Sequence, residues 1–287
     1  MFSFNTTIGS GIAYAQVLPQ ASTGPSIAYP TPPFTPIIIK GIKIFPDEPF
    51  RFNFIVDSGD SDLKNEELEN ESKTLIKYFL TTLTVPGEDL WVNLSFYEKN
   101  RIMPENFGRT VMGRDMLAQD YLLKQLTSSL LYPEGETGEK FWEQVYSKIY
   151  ERYGKTDIPE ASFKKIWIVP GKAQVYEHND SAFITESYMK VMLEEDFEAV
   201  NKNKESLKII QSDNEVNGVN DIARITNQVM RETVIPEIEK EINSGKGFIK
   251  LRQIYNSMIM ASWFKRNLRR GILKDIYFGQ SRVGGVD

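Results

Sequence analysis

From Ile37 to Phe45 the chain is β-branched and partly alternating, and Phe50, Phe52 and Phe54 then share one face against Arg51 and Asn53 on the other. A period of two predicts strands. The Pro46-Asp-Glu-Pro49 turn between them makes an opening β-hairpin the natural unit. From about Asp62 the period lengthens. Leu68, Leu75, Ile76, Phe79, Leu80 and Leu83 form a helical stripe that Pro86-Gly87 ends. Leu90–Leu94 is a short apolar stretch, and Ser95 with Glu98 makes a capping-box pattern for a brief helix before Pro104. Helical periods return from about Arg114 to Leu131 and from Gly138 to Tyr153, the latter stacking Phe141, Val145, Ile149 and Tyr153 four apart.

Four strand-like pieces follow, at 165–169, 173–177, 182–185 and 188–193. Pro170-Gly171 and His178-Asn-Asp180 separate them as turn signals, which predicts an antiparallel meander. Residues 199–218 are polar and rich in Asn and Lys, the pattern of a flexible loop. The rest reads as helix: Val219 to Asn243, with Pro236 expected to kink or break it, then Phe248 to about Tyr277. The expected fold is α+β. It divides into a Pro-rich tail over 1–36, a mixed core over 37–198, the loop, and a helical part over 219–287 packed on that core.

Composition narrows the class. The 287 residues are 41% hydrophobic and 25% charged, an ordinary globular balance with room for a sizeable core. No apolar run approaches the roughly 20 residues that a membrane-spanning helix needs. The tail supports two readings. Six prolines between Pro19 and Pro36 favour extended, unpacked backbone. Ala13-Tyr14-Ala15 has the small-residue spacing that a signal peptidase reads, although no basic residue precedes Lys40. The second reading places the chain outside the cytosol as an exported protein, and the first leaves it cytoplasmic.

Absences exclude more chemistry than any motif supports. There is no cysteine and one histidine, His178. Thiolate nucleophiles, disulfides and iron–sulfur clusters are ruled out, and a zinc site would have at most one imidazole. His178 lies in a turn-like Glu-His-Asn-Asp segment, where an exposed polar residue is expected. The acidic run from Asp57 to Glu71 lacks EF-hand spacing and instead suits the first turn of a helix. Gly135-Glu-Thr-Gly-Glu-Lys140 lacks the spacing of a phosphate loop, and its acids would repel phosphate. Neither a metal nor a cofactor is expected.

Charge segregation is the one positive signal. Between residues 246 and 282 basic residues outnumber a single acid, Asp275. Lys265, Arg266, Arg269 and Arg270 repeat at i, i+4 along one helix face beside Trp263 and Phe264. With a net charge of −5 the chain as a whole is not a polyanion binder. That face reads first as a solvated helix surface whose cations suit a helix C-terminus, next as a contact for a protein partner, including a second copy or the acidic Asp57–Glu71 region, and last as an anion or nucleic-acid surface. The leading functional reading is a non-enzymatic binding or scaffolding module. The alternative is a glycosidase-like hydrolase using paired carboxylates, which can come from anywhere in a sequence.

Several phrases carry a resemblance: Asp89-Leu-Trp-Val-Asn-Leu-Ser-Phe-Tyr-Glu-Lys99, Met112-Gly-Arg-Asp-Met-Leu-Ala-Gln-Asp-Tyr-Leu-Leu-Lys-Gln125, Tyr132-Pro-Glu-Gly-Glu136, Lys165-Ile-Trp-Ile-Val169 and Leu251-Arg-Gln-Ile-Tyr-Asn-Ser257. Together they resemble a family of uncharacterised bacterial proteins, from about Lys40 to the C-terminus. The resemblance implies a bacterial source, an α+β module and related chains that continue past Asp287. The family has no assigned activity, so no catalytic residue carries over.

Overall fold

Alternation decides the first unit: Ile38–Ile44 forms strand β1 and Phe52–Asp57 forms β2, paired antiparallel as a hairpin. The computed structural model describes residues 31–45, 48, 51–84, 107–154, 165–205 and 219–280. The tail before residue 31, the stretch at 90–94, the short helix from Ser95 and the chain after 280 lie outside these. Residues 31–36, expected as unpacked linker, instead bond to the C-terminal helices: the Phe34 N–H donates to the Ser244 carbonyl at 2.7 Å. A Pro-rich segment makes no ladder of its own, so its backbone groups are open to such partners.

The central β section is one long hairpin. β3, Ile166–His178, pairs along its length with β4, Ser181–Leu193. Each strand joins two of the expected pieces. Pro170-Gly171 does not turn the chain: it forms a bulge, where Pro170 pairs with Met189 and Lys172 with Tyr188. The turn at Asn179-Asp180 is real, with Asn179 in the left-handed region at φ 50. The two hairpins join where Gly41 to Lys43 pairs with Ser181 to Phe183, giving the antiparallel order β2-β1-β4-β3. Gly41 is needed at that seam, because a Cβ there would stand 2.6 Å from the Ala182 carbonyl oxygen.

Among the described residues six α-helices pack on the sheet or on one another: α1 Asn65–Thr84, α2 Val111–Leu130, α3 Glu136–Tyr153, α4 Glu194–Glu205, α5 Val219–Ser244 and α6 Ile249–Gln280. Helix α4 takes the first residues of the expected loop. Glu194, Glu195 and Asp196 complement its N-terminal dipole, and Phe197 stacks on Trp167 with ring centroids 4.0 Å apart. Pro236 does not end α5, which runs unbroken through it. A proline removes one i→i−4 bond, and at this exposed position solvent can satisfy the freed carbonyl.

Helix α6 sits at the centre. It packs chiefly on α1, then on β1, α2 and β4, and meets β3 only lightly. Every residue from Leu251 to Ala261 is buried, so its apolar stripe is a full cylinder rather than one face. One hydrophobic cluster runs from Ile37 of the N-terminal segment through β1, α1, α2, α3 and β4 to Phe264 of α6. The exposed backbone of β4 beyond its pairing with β1 is covered by α5. Asn243 Oδ1 accepts from the Met189 N–H at 2.9 Å, and Glu239 Oε2 accepts from the Val191 N–H at 3.0 Å.

Candidate functional site

A concavity of about 720 Å³ is the groove left where α6 diverges from β3. Its floor is apolar and comes from successive turns of α6: Tyr255, Met258, Ile259 and Trp263. Ala173, Val175 and Glu177 of β3 form the opposite wall. Arg266 and Arg269 close one end, both exposed, and neither forms an ion pair among the described residues. The size suits a ligand or a short segment of chain.

Three of the four basic residues singled out in the sequence, Lys265, Arg266 and Arg269, line this groove, and they differ in what else they do. Lys265 turns inward, its Nζ donating to the Thr82 carbonyl in the last turn of α1 at 2.5 Å. A lysine satisfying an orphan helix carbonyl is a C-terminal cap. Burial lowers the Lys265 ammonium from its ordinary pKa. Arg266 and Arg269 face the groove. Arg270 follows on the same helix, with its side chain outside the described residues.

Two side chains fix the groove's width. Trp263 Nε1 donates to Glu177 Oε1 at 2.6 Å, tying α6 to β3. The Tyr255 hydroxyl donates to the Lys172 carbonyl at 3.3 Å, at the bulge. Burial pushes the Tyr255 phenol up to about 12, against about 10 for a free tyrosine. The folded chain therefore keeps a proton that the unfolded chain releases between those values. The resulting stabilisation is complete below pH 10 and lost as pH rises through 12. Urea unfolding should show the native protein losing stability faster than Tyr255→Phe over that window. Equal slopes would mean that the phenol is not buried as described.

Beneath the N-terminal segment lies a polar network that sequence reasoning missed. Glu241, 3% exposed, accepts from the Thr31 N–H at 2.6 Å, the Thr31 hydroxyl at 2.8 Å and the Gly247 N–H at 2.9 Å. Arg252, 8% exposed, donates to the Ile242 and Phe34 carbonyls, each at 2.9 Å. Its pKa falls to about 10 because burial disfavours the charge, and Glu241 opposes that only in part. Gln253 Nε2 reaches the Ile37 carbonyl at 3.0 Å. The available signal was Arg252, Gln253, Asn256 and Ser257 inside an otherwise apolar run, which reads as a wet stripe until α6 is seen to be buried on all sides. A cavity of about 210 Å³ lies between this segment, Met189 and Asn256.

The remaining candidates carry no assembled chemistry. His178 is exposed at the hairpin tip, its ring parallel to that of Tyr176 at 6.4 Å. The acidic run is occupied structurally. Asp57 accepts from the Gly59 N–H, Asp60 from the Thr35 N–H, and Glu71 pairs with Lys250 at 2.8 Å. That last pair joins α1 to α6 within one chain, but through Lys250 rather than through the Lys265–Arg270 face for which docking on the acidic run was expected. No group of three or more metal-ligating side chains converges among the described residues, and no helix there is long and apolar enough to cross a membrane. Among the described residues the groove is lined by one carboxylate, Glu177, and these offer no acid pair for glycoside hydrolysis. Searches of protein-family models, curated proteins and solved structures each find nothing that matches this chain.

Proposed function

We propose that the chain is a non-enzymatic binding module that takes a segment of a protein partner in the groove between α6 and β3. The observation that carries this is the groove's composition among the described residues: an apolar floor rimmed by Arg266, Arg269 and Lys265, whose ammonium is turned to the end of α1, with the one carboxylate, Glu177, committed to Trp263. Interface cores favour aromatic residues, methionine and arginine, and are depleted in acids and lysine. A nucleic-acid role finds less support, because Lys265 is spent on capping α1 and the cations left at the groove are few.

The test is peptide-library display against the immobilised full chain, with Ser262→Trp in parallel. Ser262 is exposed on the groove lining, so an indole there obstructs the floor without entering the core. Enriched peptides should bind the native chain at least about tenfold more tightly than the variant. A failure to enrich any peptide sensitive to Ser262→Trp, with the variant folded by circular dichroism, would sink the reading.

A further inference from the structure

Among the described residues β3 is the last strand of the sheet, and its outer half carries few of the usual edge defences. Natural edge strands are blunted by prolines, lysines, bulges or a covering element. Here Pro170, Lys172 and the bulge at Gly171 all fall at the start of the groove. Beyond them Ala173 to His178 contains neither Pro nor Lys, its one carboxylate, Glu177, is taken up by Trp263, and Val175 and Tyr176 are strong strand formers. The second irregularity, between Gln174 and Val175, places its extra residue, Thr185, on β4, which leaves β3 itself continuous.

The hairpin turn determines which backbone groups are free. A two-residue turn makes His178 and Ser181 the closing hydrogen-bonded pair, and in an antiparallel ladder such pairs alternate with non-bonded ones. Tyr176 therefore bonds to β4, whereas Val175 and Glu177 direct N–H and C=O away from it. The same parity sends the Ala182 backbone towards β1, where it pairs with Ile42. No backbone partner exists for Val175 or Glu177 among the described residues. The contrast with β4 is informative: its unpaired N–H groups at Met189 and Val191 are covered by side chains of α5, whereas no described residue covers those of β3 beside the groove.

We propose that the partner segment enters the groove as a fifth strand, added along Ala173–His178 and presenting acidic side chains to Arg266 and Arg269. The proposal rests on the groove being the protein-binding site and adds how the segment binds and what chemistry it has. Strand addition supplies main-chain hydrogen bonds, and pockets on one face select alternate side chains. Those side chains would stand ~7 Å apart. Arg266 and Arg269 lie one turn apart on α6, within ~5 Å along its axis, so two acids two residues apart can each meet one guanidinium. An acidic strand is favoured over a second copy of this chain by charge. Two β3 edges paired about a two-fold axis put both α6 helices on the same side of the joined sheet, which brings four arginines to one seam.

The probe is a fluorescein-labelled eight-residue peptide alternating Val and Glu, followed by fluorescence anisotropy on the full chain. Binding should strengthen as salt is lowered. It should weaken at least about tenfold in Arg266→Glu/Arg269→Glu and in Val175→Pro, which removes an N–H that the fold does not use. Should Val175→Pro unfold the chain, the same peptide N-methylated on alternate amides tests the edge without altering the protein, and it should bind at least tenfold more weakly. Three results would overturn strand addition: no binding of the Val/Glu peptide, equal binding of a Val/Lys peptide, or affinity untouched by both Val175→Pro and backbone methylation. A dimer in sedimentation that Val175→Pro abolishes would replace the partner segment with a second copy. If display yields peptides sensitive to Ser262→Trp but indifferent to backbone methylation and to the two arginines, the groove stands and strand addition falls. If it yields none, both fall.

Discussion

Glu241→Ala is expected to destabilise the protein by about 3–5 kcal/mol, the range for removing one member of a buried charge network. The carboxylate joins three parts of the chain. It receives Thr31 from the N-terminal segment and the Gly247 N–H from the α5–α6 turn, and it lies near enough to the buried Arg252 to favour its charge. The turn is shaped around it: a Cβ on Gly245 would stand 2.0 Å from Glu241 Oε2, so the backbone can approach only because glycine is there. Alanine leaves the Thr31 and Gly247 donors without their acceptor and the Arg252 guanidinium without the negative charge that favours it, and each loss is costly in a buried site. Hydrogen exchange should then show faster exchange at Phe34, whose N–H bond to Ser244 depends on the segment staying docked. Glu241→Gln keeps an acceptor oxygen and should cost less than alanine. A loss under about 1 kcal/mol in urea unfolding of the alanine variant, the size of one ordinary hydrogen bond, would show that the network is decorative.

Phe79→Ala should cost a similar amount, about 3–5 kcal/mol, through a different mechanism. Phe79 has no exposed surface and joins three elements. Its ring meets Phe54 of β2 edge-on at 4.9 Å, Phe52 at 5.4 Å and Phe264 of α6 at 6.0 Å. Truncation removes the transfer free energy of the ring and leaves a cavity whose walls belong to a sheet and two helices. Those walls cannot collapse independently. Differential scanning calorimetry and urea unfolding should agree on the loss, with the far-ultraviolet dichroism of the folded variant unchanged. A loss below 2 kcal/mol would imply that the aromatic cluster repacks.

Much of this arrangement was legible from periodicity. The phenylalanines of β2, the Phe141–Val145–Ile149 row of α3 and the stripe of α1 are buried or half-buried as their spacing requires, although Leu80 faces solvent and Tyr78 takes the inward place. Tyr78 can do so because its hydroxyl bonds to Asp115 of α2. The errors share one cause. Pro170-Gly171, Pro236 and the polar stretch at 199–205 are local stop signals, and in each the surroundings override the local preference. β4 pairs across the bulge, α5 presents its proline to water, and Trp167 holds Phe197 against the sheet.

The candidate site was half legible. The basic turn of α6 is visible as charge spacing, but no pattern tells Lys265 from Arg266. That depends on which cation lies within reach of the α1 carbonyl terminus.

By itself the sequence determined the α+β class, the helical C-terminal part, most element faces and the exclusion of thiol chemistry. These follow from properties a residue carries into any environment: its hydrophobicity, its backbone preference and its functional group. The tertiary structure decided what depends on distant segments meeting. It made β3 an edge, left a groove beside it because α6 packs on β1 and β4 instead, and buried Glu241 and Arg252 under a segment some two hundred residues away in sequence. Burial, groove shape and free edges are properties of neighbours rather than of residues, and the neighbours are chosen only when the chain folds.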